Sequence, residues 1–113
     1  MTATRAASIW VPVVAWAAVI FALSSIPDLG TGLGTWDTIL RKCAHATEYA
    51  VLAALLLRAL GNLPVAFALT VAYAASDELH QTFVRGRHGS AYDVLIDAAG
   101  AAIGLAAYRR ALR

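Results

Sequence analysis

Four apolar segments, each close to twenty residues and each separated from the next by a short polar stretch, take up most of this 113-residue chain. Nothing else in the sequence restricts the fold as much. A hydrocarbon layer of about 30 Å is crossed by roughly 20 helical residues rising about 1.5 Å each, and each segment reaches that length only when its polar end is counted. Hydrophobic residues make up 60% of the chain and charged residues 14%, against about 25% charged in an ordinary soluble domain. The mean hydropathy is +0.66. A soluble domain of this size would have to expose apolar patches far above the usual few hundred Å². The expectation is all-α: a polytopic integral membrane protein, a compact bundle of four transmembrane helices in one domain covering residues 1–113.

The segment bounds follow from punctuation in the sequence. The first helix is expected over about Ala6 to Ser24, with Trp10, Trp16 and Phe21 in it and Pro12 in its first two turns, where a missing amide donor is most easily accommodated. It is longer than the apolar region of a secretory signal, about 7 to 15 residues, and no A-x-A site closes it, so it is expected to be retained. Gly30, Gly32 and Gly34 mark a loop, and Trp36 beside it suits the headgroup level. The second helix is expected over about Ile39 to Leu60, and Gly61, Asn62 and Pro64 make a tight turn into a third over about Pro64 to Phe83. A short basic loop, Val84 to Ser90, leads to a fourth over about Ala91 to Ala107. The single cysteine, Cys43, excludes an intramolecular disulfide and a cysteine-rich metal site.

Antiparallel spans divide the charges unevenly. One face receives Arg5, Arg58, Arg109, Arg110 and Arg113 and no acid. The other receives Arg41, Lys42, Arg85 and Arg87, together with all seven acids and all three histidines. Counting basic residues places the termini in the cytoplasm and the polar cluster outside. Ionisable groups one to three turns inside a membrane are costly enough to mark a functional site. A net charge of +2 without basic stretches interleaved with aromatics excludes nucleic acid as a partner.

Helical spacing sorts the cluster into stripes. Lys42, His45 and Tyr49 share a face, with Glu48 three residues beyond His45. His45 and Glu48 suit two metal ligands, an acid/base pair or a buried ion-pair network that locks the second helix in place. An isolated H-x-x-E is too short to specify a metal, so no metal or other cofactor is assigned. Tyr73, Asp77, His80 and Gln81 fall on one side of the third helix, with Glu78 about 100° round. Adjacent carboxylates with a nearby histidine suit a general acid or a proton-sharing pair, which makes Asp77, Glu78 and His80 the catalytic candidates. Neutralisation by Lys42, Arg85 and Arg87 is the structural alternative. On the fourth helix Asp93, Asp97, Gly100 and Gly104 stand at i, i+4, i+7 and i+11, so both carboxylates top the face whose glycines admit a close neighbour. Ser90 three residues before Asp93 resembles a capping box. Arg85 and Arg87 offer forks for carboxylate or phosphate.

Three ordered motifs, Lys42 to Tyr49 (KCAHATEY), Ser76 to Arg87 (SDELHQTFVRGR) and Ser90 to Gly104 (SAYDVLIDAAGAAIG), resemble the VanZ-like family of small bacterial membrane proteins, named for a teicoplanin-resistance accessory protein. The resemblance covers most of the chain from Leu23. It picks out Lys42, His45, Glu48, Tyr49, Asp77, Glu78, His80, Gln81, Arg87, Asp93, Asp97, Gly100 and Gly104. Thr47 stands where family members often carry an aromatic, and Asp97 where many carry asparagine. The family implies residence in the bacterial cytoplasmic membrane and a cell-envelope role, including lowered susceptibility to glycopeptides. It supplies no reaction.

Three functions fit these residues. A pocket at the outer membrane face, formed by Lys42, His45, Glu48, Tyr49, Gln81, Arg85, Arg87, Asp93 and Asp97, would bind membrane lipid, a lipid-linked envelope precursor or a glycopeptide. The same residues suit an acid/base or metal-assisted enzyme acting on a lipid phosphate, or an ion-pair network that only holds the bundle. A proton or ion pathway is disfavoured, because no charged residue lies between Arg58 and Asp77 or between Asp97 and Arg109.

Overall fold

A computed structural model describes residues 3–25, 35–83 and 91–111, apart from the side chains of residues 3, 24, 35–38 and 91. It contains α1 (Ala3–Ser24), α2 (Thr35–Leu60), α3 (Leu63–Gln81) and α4 (Ala91–Ala111), and no strand among the described residues. Every apolar segment of the sequence is one helix. The expected turn between the second and third is built as its residues dictate. Gly61 adopts φ +66°, a left-handed conformation that glycine enters without steric cost, and its amide closes onto the Leu57 carbonyl at 2.8 Å. Asn62 then caps α3, its Oδ1 accepting from the Val65 amide at 3.1 Å, and Pro64 occupies the first turn, where no intrahelical donor is needed.

Several ends differ from the expected ones. α1 begins at Ala3 and α2 at Thr35, both earlier than the apolar runs, because helical backbone continues into polar residues that carry no hydrophobic signal. Pro12 therefore lies in the third turn of α1 rather than the first two. α4 runs on to Ala111, and Arg109 and Arg110 in its last turn favour the negative end of the helix dipole. α3 stops at Gln81 rather than Phe83: the Phe83 amide bonds the His80 carbonyl at 3.0 Å, and the last turn tightens to three-residue bonds.

α2, α3 and α4 pack mutually, and α1 lies across α2 and α3 without meeting α4 among the described residues. The most extensive seam joins α2 to α4. Gly100 and Gly104 explain it. A Cβ on Gly100 would fall 2.8 Å from the Ala46 Cα, and one on Gly104 would fall 2.6 Å from the Ala50 Cα, so the two backbones approach to a distance that only glycine permits.

The distribution of polarity is inverted relative to a water-soluble bundle. Val11, Val14, Leu69, Leu95 and Ile103 face outward, while Glu48, Thr70, Asp77, Glu78, Gln81 and Asp97 are buried. The apolar interior is small, with Ile20, Tyr49, Ala53, Ala74 and Ala101 at its centre. Among the described residues, two helices are long and apolar enough to cross a membrane, over Thr4–Leu23 and Ile39–Leu60. They suggest a membrane protein.

Candidate functional site

The antiparallel order brings the start of α2, the end of α3 and the start of α4 to one end of the bundle. Two interior stripes meet there. On α2, Glu48 and Tyr49 are buried and His45 is half-buried beside them. On α4, Asp97 is 1% exposed. His45 Nδ1 lies 3.9 Å from Asp97 Oδ1 and 4.0 Å from Glu48 Oε2, so one imidazole nitrogen faces carboxylates from two helices. These are ion-pair distances, too long for hydrogen bonds. The opposite nitrogen, Nε2, stands 3.3 Å from Gln81 Nε2 on α3.

α3 contributes on two sides. Asp77, Glu78 and Gln81 are buried, and the Tyr49 hydroxyl donates to Asp77 Oδ2 at 2.9 Å. Tyr73 and His80, seven residues apart and hence on one line of the helix, turn instead toward α1. The Tyr73 hydroxyl donates to the Ala17 carbonyl at 2.6 Å. His80 Nε2 lies 2.9 Å from Ser25 Oγ, and its ring stacks on Phe21 at 4.5 Å between centroids. His80 is thus placed against α1, whereas Glu78 has a carboxylate oxygen within 4.8 Å of ligand atoms of both His45 and Asp97.

At the mouth of this cluster Lys42 Nζ bonds Asp93 Oδ1 at 2.6 Å, and it lies 5.7 Å from the centre of the Tyr92 ring. The lysine side chain is 40% exposed, so the pair is open to the surroundings. Arg85 and Arg87 lie outside the described residues. Cys43 is exposed.

The residues grouped in the sequence therefore fall into three sets. His45, Glu48, Tyr49, Asp77, Glu78, Gln81 and Asp97 converge in the interior; Lys42 and Asp93 pair at its rim; His80 stands apart against α1. The contribution of α1 was not legible as a site. Ser25 reaches His80, and Trp16 Nε1 donates to the Glu48 carbonyl at 2.8 Å, fixing the backbone of the acid-bearing turn. In the sequence Ser25 is marked only as a polar residue at the end of an apolar run, and Trp16 only as one of the aromatics within it.

The far end of the bundle is basic. Arg58, Pro64, Tyr108 and Arg109 line one open groove there, and Arg109 and Arg110 with Leu63 and Leu105 line another. The described acids thus gather at one end, with Arg41 and Lys42 beside them, and the other end carries bases alone among the described residues.

A small helical bundle with an apolar exterior and acids from three helices turned inward is the class that fold and site define. The chain belongs to the VanZ/LLP1 family, whose model matches residues 2–112, essentially its whole length. Comparison with curated proteins and with solved structures gives no match.

Proposed function

We propose that this chain is a four-span envelope membrane protein whose buried polar pocket binds a lipid headgroup or a lipid-linked substrate. The observation that carries the reading is the inverted interior: Asp77, Glu78 and Asp97 are each at most 5% exposed, while large aliphatic side chains of all four helices face outward. In water that arrangement is unfavourable on both counts. In a bilayer, outward leucine and valine are solvated by lipid, and inward ionisable groups mark a functional site. α3 and α4, at 19 and 21 residues, are about 28 and 31 Å long, matching a hydrocarbon core of about 30 Å.

The pocket has two chemistries. Its carboxylates accept hydrogen bonds from hydroxyl and amine groups, Lys42 suits a phosphate at the rim, and Arg85 and Arg87, in the sequence between α3 and α4, offer forks for the same group. The arginines at the opposite end support cytoplasmic termini and an outward-facing pocket. Membership of the family is in keeping with an envelope role, and in this reading occupancy of the pocket lowers glycopeptide susceptibility, teicoplanin included.

Native mass spectrometry of the detergent-extracted protein tests the binding. A lipid adduct retained by the wild type and lost from folded Arg87→Ala and Glu78→Gln variants is the expected result. An adduct equally retained by both variants refutes the pocket. Teicoplanin susceptibility of cells expressing the wild type and these variants tests the envelope role separately.

A further inference from the structure

We propose that His45, Glu78 and Asp97 form a binding site for one first-row divalent metal ion, of the zinc or manganese class. Each residue comes from a different helix, and each offers one ligand atom such that all three atoms lie within 4.8 Å of one another. Asp97 supplies the independent observation: it is 1% exposed, and its Oδ2 has no hydrogen-bond partner among the described residues. A buried carboxylate oxygen without a donor costs free energy unless something of positive charge meets it.

The donor set fits such an ion. One imidazole and two carboxylates combine the ligand that suits zinc with ligands that suit manganese, and three protein ligands leave an open position for water or a substrate oxygen. Bonds of about 2.0–2.1 Å to a tetrahedral ion place ligand atoms about 3.3 Å apart. Side-chain rotation on three helices held at fixed backbone spacing covers the remaining distance. Carboxylates and histidines projecting into the core from several helices are also the usual way in which helical bundles hold metals.

The second imidazole nitrogen sharpens the assignment. His45 Nδ1 is the nitrogen that faces carboxylate, 3.9 Å from Asp97 Oδ1, while Nε2 faces the Gln81 amide at 3.3 Å. Ligation through Nδ1 requires a proton on Nε2. Turned through 180°, the Gln81 amide presents its oxygen to accept that proton, which fixes the tautomer and the ring plane. Gln81 is thus a positioning residue for the metal and not a ligand.

The site lies inside the pocket assigned above but does not require a lipid there. The test reads metal and lipid on the same detergent-purified full chain. After incubation with Zn²⁺ or Mn²⁺ and removal of the excess, elemental analysis is expected to find about one ion per chain. Co²⁺ in place of zinc is expected to give visible absorption bands shifted from those of the aqueous ion. Asp97→Asn and His45→Ala are expected to raise the dissociation constant at least tenfold. Gln81→Ala is expected to raise it less than either, and Arg109→Ala at the far end to leave it unchanged. Circular dichroism identifies which variants remain folded. Sub-stoichiometric metal on the wild type, or Co²⁺ spectra identical to the aqueous ion, overturns the proposal without recourse to any variant. So does wild-type affinity in folded Asp97→Asn. Stoichiometric metal without a retained lipid supports the metal site while the lipid reading fails, and a retained lipid without metal does the reverse.

Discussion

Replacing Gly104 by alanine tests the close approach of α4 to α2 by the sign of its effect. Helix propensity alone predicts a gain of about 0.5–1 kcal/mol, because alanine loses less backbone entropy than glycine in a helix interior. The packing predicts the opposite. The new Cβ would fall 2.6 Å from the Ala50 Cα, and it would also meet the Ala50 carbonyl. Carbon atoms normally rest about 3.5–4.0 Å apart, so the helices must separate by about 1 Å. The obstacle is backbone and has no rotamer to change. Overpacking of this kind costs about 1–3 kcal/mol, and with a rigid obstacle the upper half of that range applies, leaving a net loss of about 1–2.5 kcal/mol. The assay is loss of helicity on titration with denaturing detergent in mixed micelles, comparing wild type with Gly104→Ala and Gly104→Leu. Leucine should cost more than alanine. A Gly104→Ala protein as stable as wild type, or more so, would refute the seam as the organising contact of the bundle.

The same titration checks three further expectations. Tyr49→Phe removes the 2.9 Å donor to buried Asp77 and is expected to cost about 1.5–3 kcal/mol, as for hydrogen bonds to charged groups; a change below about 0.5 kcal/mol would show that Asp77 does not need that bond. Lys42→Ala breaks a 2.6 Å contact, yet the lysine is 40% exposed, so the expected loss is only about 0–1 kcal/mol, and a larger loss would mean that the rim is closed. Asn62→Ala removes the cap of α3 and is expected to cost about 0.5–2 kcal/mol, with Asn62→Asp restoring most of it.

Two kinds of site information were legible in the sequence, and a third was not. Where a stripe carries both its polar groups and the small residues that make its contact, spacing alone orients it: Asp97, Gly100 and Gly104 all face α2 as their intervals require. Turns with dedicated chemistry were equally readable, as Gly61, Asn62 and Pro64 show. The direction of His80 was not. His80 and Gln81 differ by one residue, about 100° of rotation, and a face wide enough to include both cannot say which neighbour each one meets. That depends on where α1 lies, and α1 is apolar almost all round, with no periodicity to assign it a side. Its position shows only in the tertiary contacts of Trp16, Ala17, Phe21 and Ser25. The polar ends of α2 and α4 were missed for a related reason, since hydropathy marks where apolar residues stop and not where the helix does.

The seam that stabilises the bundle also sets the geometry of its acids, and the two roles can be separated along α4. Gly100 is three residues from Asp97 and packs on Ala46, the neighbour of His45 in sequence. A separation of about 1 Å at that level stretches the 3.9 Å spacing between His45 and Asp97 directly. Gly104 lies one turn further from the acids and packs on Ala50, so the same wedge there loosens the helices while acting on the site only through tilt. Alanine at the two positions should therefore cost similar stability but unequal metal or lipid binding, with Gly100→Ala the more damaging. Equal losses of binding would mean that the bundle responds as a rigid whole, and that small residues near the acids serve only its stability. Unequal losses would mean that the glycine spacing on α4 is part of the pocket itself, holding a carboxylate and an imidazole from two helices at a distance that any larger residue would lengthen.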